Sequence, residues 1–239
     1  MVVKSQIKFI KNLQQKKHRI EHKLFVAEGI KLVRELLDSD FEVYGIYVTD
    51  LGLLQDTEQV QLISESELQK MSGLKSPNKI LAVFHFPKER ELKITDWVVV
   101  LDDVRDPGNL GTIIRLCDWF GVDQLVCSLN TVDCFNPKTL QATMGSVGRV
   151  NIFYTDLIHF LESTELSIYG AFMDGATVYK EEFPKKGILV LGNEAKGVSQ
   201  EVEDLITKKI AIPQFGKSST ESLNVATATA ILLNEIRRG

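Results

Sequence analysis

Polar side chains gather at three points of this chain where an apolar run stops. In GNEAKG, Gly192, Asn193, Glu194 and Gly197 follow the run Ile188–Leu191. In IPQFGKSSTESLN, Pro213, Ser222 and Asn224 follow Ile210–Ile212. In DDVRDPGNLGTIIR, Asn109 and Arg115 follow Trp97–Leu101. Glycines let backbone approach a ligand closely, while amides and a carboxylate supply donors and acceptors. Arginine adds a positive charge that does not titrate away. Ligands of open α/β sheets collect at the carboxyl ends of strands, so the two C-terminal loops are expected to line one pocket.

The elements behind these residues follow from pattern. Ile188–Leu191 is a continuous apolar run, as in a strand buried on both faces of a parallel sheet, and Ile210–Ile212 repeats it before Pro213. Ser222 and Asn224 flank Leu223 just before a helix over Val225–Ile236, closed by Arg237, Arg238 and Gly239. The plain reading of such residues is an N-cap, which accounts for one polar side chain better than for a Ser-x-Asn pair. The terminal arginines complement the helix dipole and need no further role. Pro107 and Gly108 make a turn, Asn109 is the expected cap, and Ile113, Ile114, Leu116, Cys117 and Phe120 mark the buried side of a helix ending at Gly121. Arg115 lies six residues after Asn109, roughly 120° around that helix. Surface placement is the ordinary fate of an arginine, and the apolar flanks put Arg115 at a rim.

Two domains are expected, 1–90 and 95–239, with the charged segment Pro87–Lys93 as linker. The first reads as a small α/β domain: strands at Phe25–Val26, Val43–Thr49 and Ile80–Phe86, a helical stripe through Ile30, Val33, Leu36 and Leu37, and a Ser64/Glu67 capping box ahead of a helix to Met71. The second alternates strands (Trp97–Leu101, Leu125–Cys127, Asn151–Tyr154, Ile168–Phe172) with helices, one starting at Asn136–Pro137 and one over Asp156–Leu161. The fold class is α/β, a mostly parallel sheet with helices on both faces. Asn109-Leu110-Gly111 lacks the glycine fingerprint of dinucleotide sites, which disfavours a nucleotide-dependent oxidoreductase.

Composition narrows the partners. Net charge is −4 over 239 residues, so any polyanion must be met by a local patch. Residues 1–24 supply one: Lys4, Lys8, Lys11, Lys16, Lys17, Arg19 and Lys23 against the single acid Glu21. Such a run is usually a solvated face, and its functional alternative is a phosphate-contacting arm. His18 and His22, four apart, have metal-ligand spacing, but without a further ligand they are read as surface residues and no metal is expected. Cys117, Cys127 and Cys134 show no CxxC spacing, and no run reaches membrane-span length. A cytoplasmic protein is expected.

Three segments together resemble the motifs of the SpoU/TrmH-type methyltransferases of the SPOUT superfamily. They are NLGTIIR (Asn109 to Arg115), GNEAKG (Gly192 to Gly197) and IPQFG...SLNVA (Ile212 to Ala226), while KNLQQKKHR...FVAEG is similar to that family's N-terminal substrate-binding domain. The resemblance implies a C-terminal trefoil knot, S-adenosylmethionine held by the knot loops, a homodimer, and methyl transfer to a ribose 2′-hydroxyl of RNA, ribosomal ahead of transfer RNA. It implies cofactor binding by Leu191, Gly192, Asn193, Glu194, Gly197, Ile212, Pro213, Ser222 and Leu223. Arg115 is implied as the catalytic arginine, with Asn109, Glu194, Ser222 and Asn224 around it. Arg115 is expected to stabilise a developing alkoxide or clamp the adjacent phosphate rather than act as a base. The chain departs from the family in Ala195, where glycine is usual, and in a longer run before Ser222. A non-catalytic RNA-binding protein retaining the fold is the rival reading.

Overall fold

Among the described residues, α-helices and β-strands run in the order α1 (Lys4–Asn12), α2 (Lys16–His22), β1 (Leu24–Glu28), α3 (Ile30–Leu37), β2 (Val43–Val48), β3 (Val60–Leu62), α4 (Glu65–Met71), β4 (Ile80–His85), β5 (Val98–Leu101), α5 (Pro107–Trp119), β6 (Gln124–Ser128), α6 (Pro137–Thr143), β7 (Asn151–Thr155), α7 (Leu157–Glu162), β8 (Ile168–Thr177), β9 (Ile188–Leu191), α8 (Gln200–Glu203), β10 (Lys208–Ala211) and α9 (Val225–Arg238). The structure, a computed structural model, describes residues 2–54, 60–88, 90–216 and 222–238. Two compact units form: Met1–Glu89 with Asp133–Arg149, and Arg90–Val132 with Val150–Gly239.

In the first unit the sheet order is β1-β4-β2-β3, with β4 antiparallel to both neighbours and β2 parallel to β3. Successive side chains of a strand point to opposite faces, and here both faces are covered. Leu24, Val26, Leu81 and Val83 join Ile10 and Leu13 and, from α4, Leu68 and Met71 in one core. The intervening Phe25 and Phe84 stack at 5.6 Å, and Phe135 lies 4.5 Å from Phe25. Phe135 shows why Asp133–Arg149 clusters with this unit: it completes an aromatic layer that also includes Phe86. Gln141 adds a bond to the Glu28 carbonyl at 2.6 Å. The capping box of Ser64 and Glu67 forms as its spacing predicts.

Arg19 departs from the basic arm. Its side chain is 2% exposed, giving two bonds to one Asp133 carboxylate oxygen (3.0 and 2.6 Å) and one each to the carbonyls of Leu13 and Gln14 (3.0 and 2.8 Å). Sequence charge alone cannot separate a buried guanidinium from a solvated one, because the partner lies 114 residues away.

The second unit holds a six-stranded sheet in the order β10-β8-β9-β5-β6-β7, parallel throughout. The central pair β5 and β9 is fully buried, as continuous apolar runs require. Val98, Val100, Val126, Ile188 and Val190 pack on Leu157 and Leu161 of α7 and Val202 of α8; α5 packs on α9 and β6. β8 runs five residues past the expected Phe172, because its register against β10 shifts between Lys209 and Ile210. Gly175 permits this: a Cβ there would lie 2.6 Å from the Ile210 carbonyl carbon. Arg237 does more than complement a dipole, since it grips Asp96 with two bonds (2.9 and 2.8 Å) and donates to the carbonyls of Phe120 and Gly121.

Removing one partner of a buried ion pair leaves a desolvated charge, at about 3–5 kcal/mol. Arg19→Ala is expected to lower the unfolding free energy by about that amount in urea titration. Asp133→Ala should do the same, and the double variant should lose clearly less than the sum.

Candidate functional site

Because all six strands of the second unit are parallel, their carboxyl ends face one way. β6 lies on one side of β5 and β9 on the other, so strand order reverses there, the usual place for a ligand crevice. The loops Asp102–Asp106 and Gly192–Gly197 leave these two strands. The ladder continues into the first of them, with the Asp102 N–H bonded to the Leu191 carbonyl at 2.9 Å.

Gly192–Gly197 is a closed turn. Asn193 and Gly197 exchange two backbone bonds of 2.9 Å, and the Asn193 side-chain oxygen accepts from Ala195 and Lys196. Its amide nitrogen donates to the Asp103 carbonyl at 2.7 Å, tying this turn to the loop after β5. A Cβ on Gly192 would stand 2.2 Å from the Gly197 carbonyl carbon, so only glycine allows this closure. Gly197 itself has φ +74°. Ala195 keeps a negative φ, so the turn tolerates the alanine.

α5 starts one turn earlier than expected. Asp106 is its N-cap, accepting the Asn109 N–H at 2.8 Å, with Pro107 in the first helical position. The Asp-Pro pair is the signal that placing the cap at Asn109 overlooks. With its backbone so held, the Asn109 side chain is free to bridge. Its amide nitrogen donates to Glu194 at 3.0 Å, and its oxygen accepts from the Asn224 amide at 2.9 Å. Asn224 also caps α9, its oxygen accepting from the N–H groups of Ala226 and Thr227. The cap reading and the site reading thus share one side chain.

Glu194 accepts further from the Asp106 and Arg105 N–H groups at 3.3 and 3.4 Å, ahead of α5. Desolvation alone would raise the Glu194 pKa, but the Asn109 amide and surrounding backbone N–H groups outweigh it and hold the carboxyl below its ordinary value. The carboxylate therefore stays charged and acceptor-only. Sequence reasoning missed Asp102, Asp103 and Arg105. Asp102 accepts the Ser199 N–H at 2.7 Å, and Asp103 sits at φ +56° with its N–H on Ser128 and its carboxylate on Arg105. Nothing in the run DDVRDP separates these acids from solvated ones.

The fold brings Asn109, Asn193, Glu194, Gly192 and Asn224 together. Leu191 is buried, Ile212 and Pro213 are half-buried, and Ser222 and Leu223 are exposed beside Asn224. The longer run at 217–221 lies outside the described residues. Arg115 is exposed two turns further along α5, and among the described residues it forms no hydrogen bond or ion pair. All three cysteines are free and buried, and burial pushes the Cys117 thiol up to about 12. In the other unit, α2 sets one ligand atom each of His18, Glu21 and His22 within 4.8 Å of one another, so the two histidines do have an acidic neighbour.

Residues 96–234 match the SpoU rRNA Methylase family and residues 4–82 the MRM3-like substrate binding domain. The 23S rRNA (guanosine(2553)-2'-O)-methyltransferase RlmP of Bacillus subtilis is 34% identical over 97% of this chain and 95% of its own. Among solved structures, a TrmH-family protein from Porphyromonas gingivalis superposes with TM-score 0.91 at 37% identity, covering 100% of this chain and 99% of its own. The S-adenosylmethionine-bound rRNA methyltransferase of Sinorhizobium meliloti gives 0.87 at 30%, covering 100% and 96%. With its parallel sheet, its three joined loops and a family match over more than half its length, the chain belongs to the SpoU rRNA methylase family.

Proposed function

We propose that this chain is an S-adenosylmethionine-dependent RNA methyltransferase acting on a ribose 2′-hydroxyl, with ribosomal RNA as substrate ahead of transfer RNA. The observation that carries it is the hydrogen-bonded line Asn224–Asn109–Glu194, which ties the three motif segments together at the carboxyl ends of the strands. The names of the relatives agree with it, and only RNA offers the 2′-hydroxyl.

The residues suit the donor. Gly192 lets the turn close on Gly197 and so fixes the backbone of the donor loop, while Ile212 and the 47%-exposed Leu223 offer apolar surface. In this reading Leu191, Gly192, Ile212 and Leu223 hold the donor mainly through main chain, Asn193, Gly197 and Pro213 shape its loops, and Glu194, Asn109, Ser222 and Asn224 face the reacting side. When bound, S-adenosylmethionine would supply an electrophilic sulfonium methyl, with its sulfur as the leaving group and water taking up the proton of the accepting hydroxyl. The reading includes the trefoil knot, a cytoplasmic location and no metal.

Arg115 is assigned to stabilise charge on the 2′-oxygen or to clamp the neighbouring phosphate. About 9 Å along α5 and roughly 120° around it from Asn109, it is assigned to the site of a second copy. Its helix face supports this. Thr112, Arg115 and Trp119 are all exposed at helical spacing, and Trp119 is 81% exposed, an apolar surface that a second subunit would cover.

Arg115→Ala is expected to leave donor affinity unchanged in calorimetry and to lower turnover by about 100-fold or more. Arg115→Lys should also lose most activity, and near-full methyl transfer in it would remove the bidentate role. Gly192→Ala should weaken donor binding by at least about tenfold, equivalent to about 1.4 kcal/mol. Mixing inactive Arg115→Ala with inactive Asn224→Ala chains should restore labelled-methyl transfer, since one composite site is then intact. No recovery on mixing, with subunit exchange verified, would place Arg115 in its own chain's site.

A further inference from the structure

The first unit carries a row of rings that its core does not explain. His18 and His22 stack at 6.4 Å, His22 meets Phe9 edge-on at 4.9 Å, Phe9 lies 6.0 Å from Tyr44, and Tyr44 lies 5.8 Å from His85. The row draws on α1, α2, β2 and β4. Phe9 packs against the buried cluster beneath. His22 is exposed and Tyr44 is 45% exposed, while Phe9, His18 and His85 are half-buried, so His22 and Tyr44 are the rings most open to solvent.

The exposed charge that α1 and α2 set beside the row is mainly positive, with Glu42, whose carbonyl accepts the His85 N–H, an exposed acid on the strand side. Lys4, Lys8 and Lys11 are exposed at positions i, i+4 and i+7, one face of α1. Lys16, Lys17 and Lys23 are exposed at the two ends of α2, and the Lys23 ammonium lies 5.9 Å from the Phe86 ring centre. Removing buried Arg19 from the sequence tally leaves these six lysines, and the one acid of residues 1–24, Glu21, is engaged by His18 at 3.3 Å. A chain of net charge −4 thus concentrates exposed cations around exposed rings. A protein partner would use the rings but has no general need of the lysines. A single-stranded polyanion uses both, stacking bases on the rings while lysines track its phosphates.

We propose that the row His18–His22–Phe9–Tyr44–His85, with the α1 lysines, is a stacking platform for an unpaired stretch of the RNA substrate. This rests on the reading of the chain as an RNA methyltransferase and adds the form in which the RNA is held: bases unstacked from one another and laid against Tyr44 and His22. Duplex RNA, whose bases are already stacked, gains only the lysines.

The test titrates the full chain against a labelled short oligoadenylate and a fully paired RNA duplex, read by fluorescence anisotropy. Base–aromatic stacking of about 1–3 kcal/mol predicts that Tyr44→Ala weakens oligoadenylate binding by at least about fivefold. Tyr44→Phe should bind as wild type does, and duplex binding should be unchanged in both. Lys8→Ala with Lys11→Ala should flatten the salt dependence for both probes. Wild-type affinity of Tyr44→Ala for oligoadenylate overturns the platform, as does a wild-type chain that ignores this probe, which is also the result expected of a surface built for a protein. Calorimetry with S-adenosylmethionine on the same samples keeps the two readings apart. A wild-type chain that binds oligoadenylate through Tyr44 but no donor leaves the platform standing and removes the methyltransferase.

Discussion

One carboxamide joins the parts of the site. Asn109 is a residue with both a donor and an acceptor at the tip of a short side chain, and the structure uses both: Glu194 takes the donor and Asn224 fills the acceptor. The three residues belong to different segments, the first turn of α5, the turn after β9 and the approach to α9, and these come together because every strand of this sheet points the same way. The parallel sheet supplies proximity and the amide supplies register. Aspartate at 109 would keep the shape but lose the donor, setting a second carboxylate against Glu194. Around this contact the supports are local and rigid, namely the Asp106 cap that fixes the Asn109 backbone, the glycine closure at 192 and the α9 cap that aims Asn224.

The same economy of arginine and lysine governs the other unit. Arginine's planar fork suits buried, multiply bonded positions, and Arg19 meets Asp133 and two carbonyls there. Lysines, flexible and strongly hydrated, remain outside, where they can neutralise phosphate. The seven-cation run read from sequence therefore divides into one structural residue and six that face solvent. It is a smaller patch than composition implies, and a better localised one.

Where an element's cause is local, the sequence shows it. Apolar runs with strand-like lengths give β5, β6, β9 and the core of β4, and Ser64 with Glu67 announces α4 because both halves of that cap lie within one turn. Gly121, read as the left-handed end of α5, has φ +64°. Causes distant in sequence stayed hidden. The extension of β8 depends on a register shift against β10, and the docking of Phe135 depends on Phe25 and Phe86, rings far earlier in the chain. In the site, motif resemblance points to Asn109, Glu194 and Asn224, while their spacings of 85 and 115 residues give no sign that they meet. The Asp106 cap is different, since Asp before Pro was present in the sequence and the apparent cap at Asn109 competed with it.

Arg115 poses a geometric question that helix stiffness answers in part. It shares α5 with Asn109, and neither residue can change its bearing on the other without breaking the helix, whose inner face (Leu110, Ile113, Ile114 and Cys117) is wholly buried. A guanidinium meant for the Asn224–Asn109–Glu194 line of its own chain would have to come round the outside of the helix. One meant for a second copy needs only to stay where it is, on the exposed face that ends in Trp119. The buried side of α5 packs on α9 and β6 of its own chain, and its exposed side carries Arg115 and Trp119. A site completed across two copies would make catalytic charge depend on assembly, so that a lone chain could hold the methyl donor without the positive charge that favours transfer.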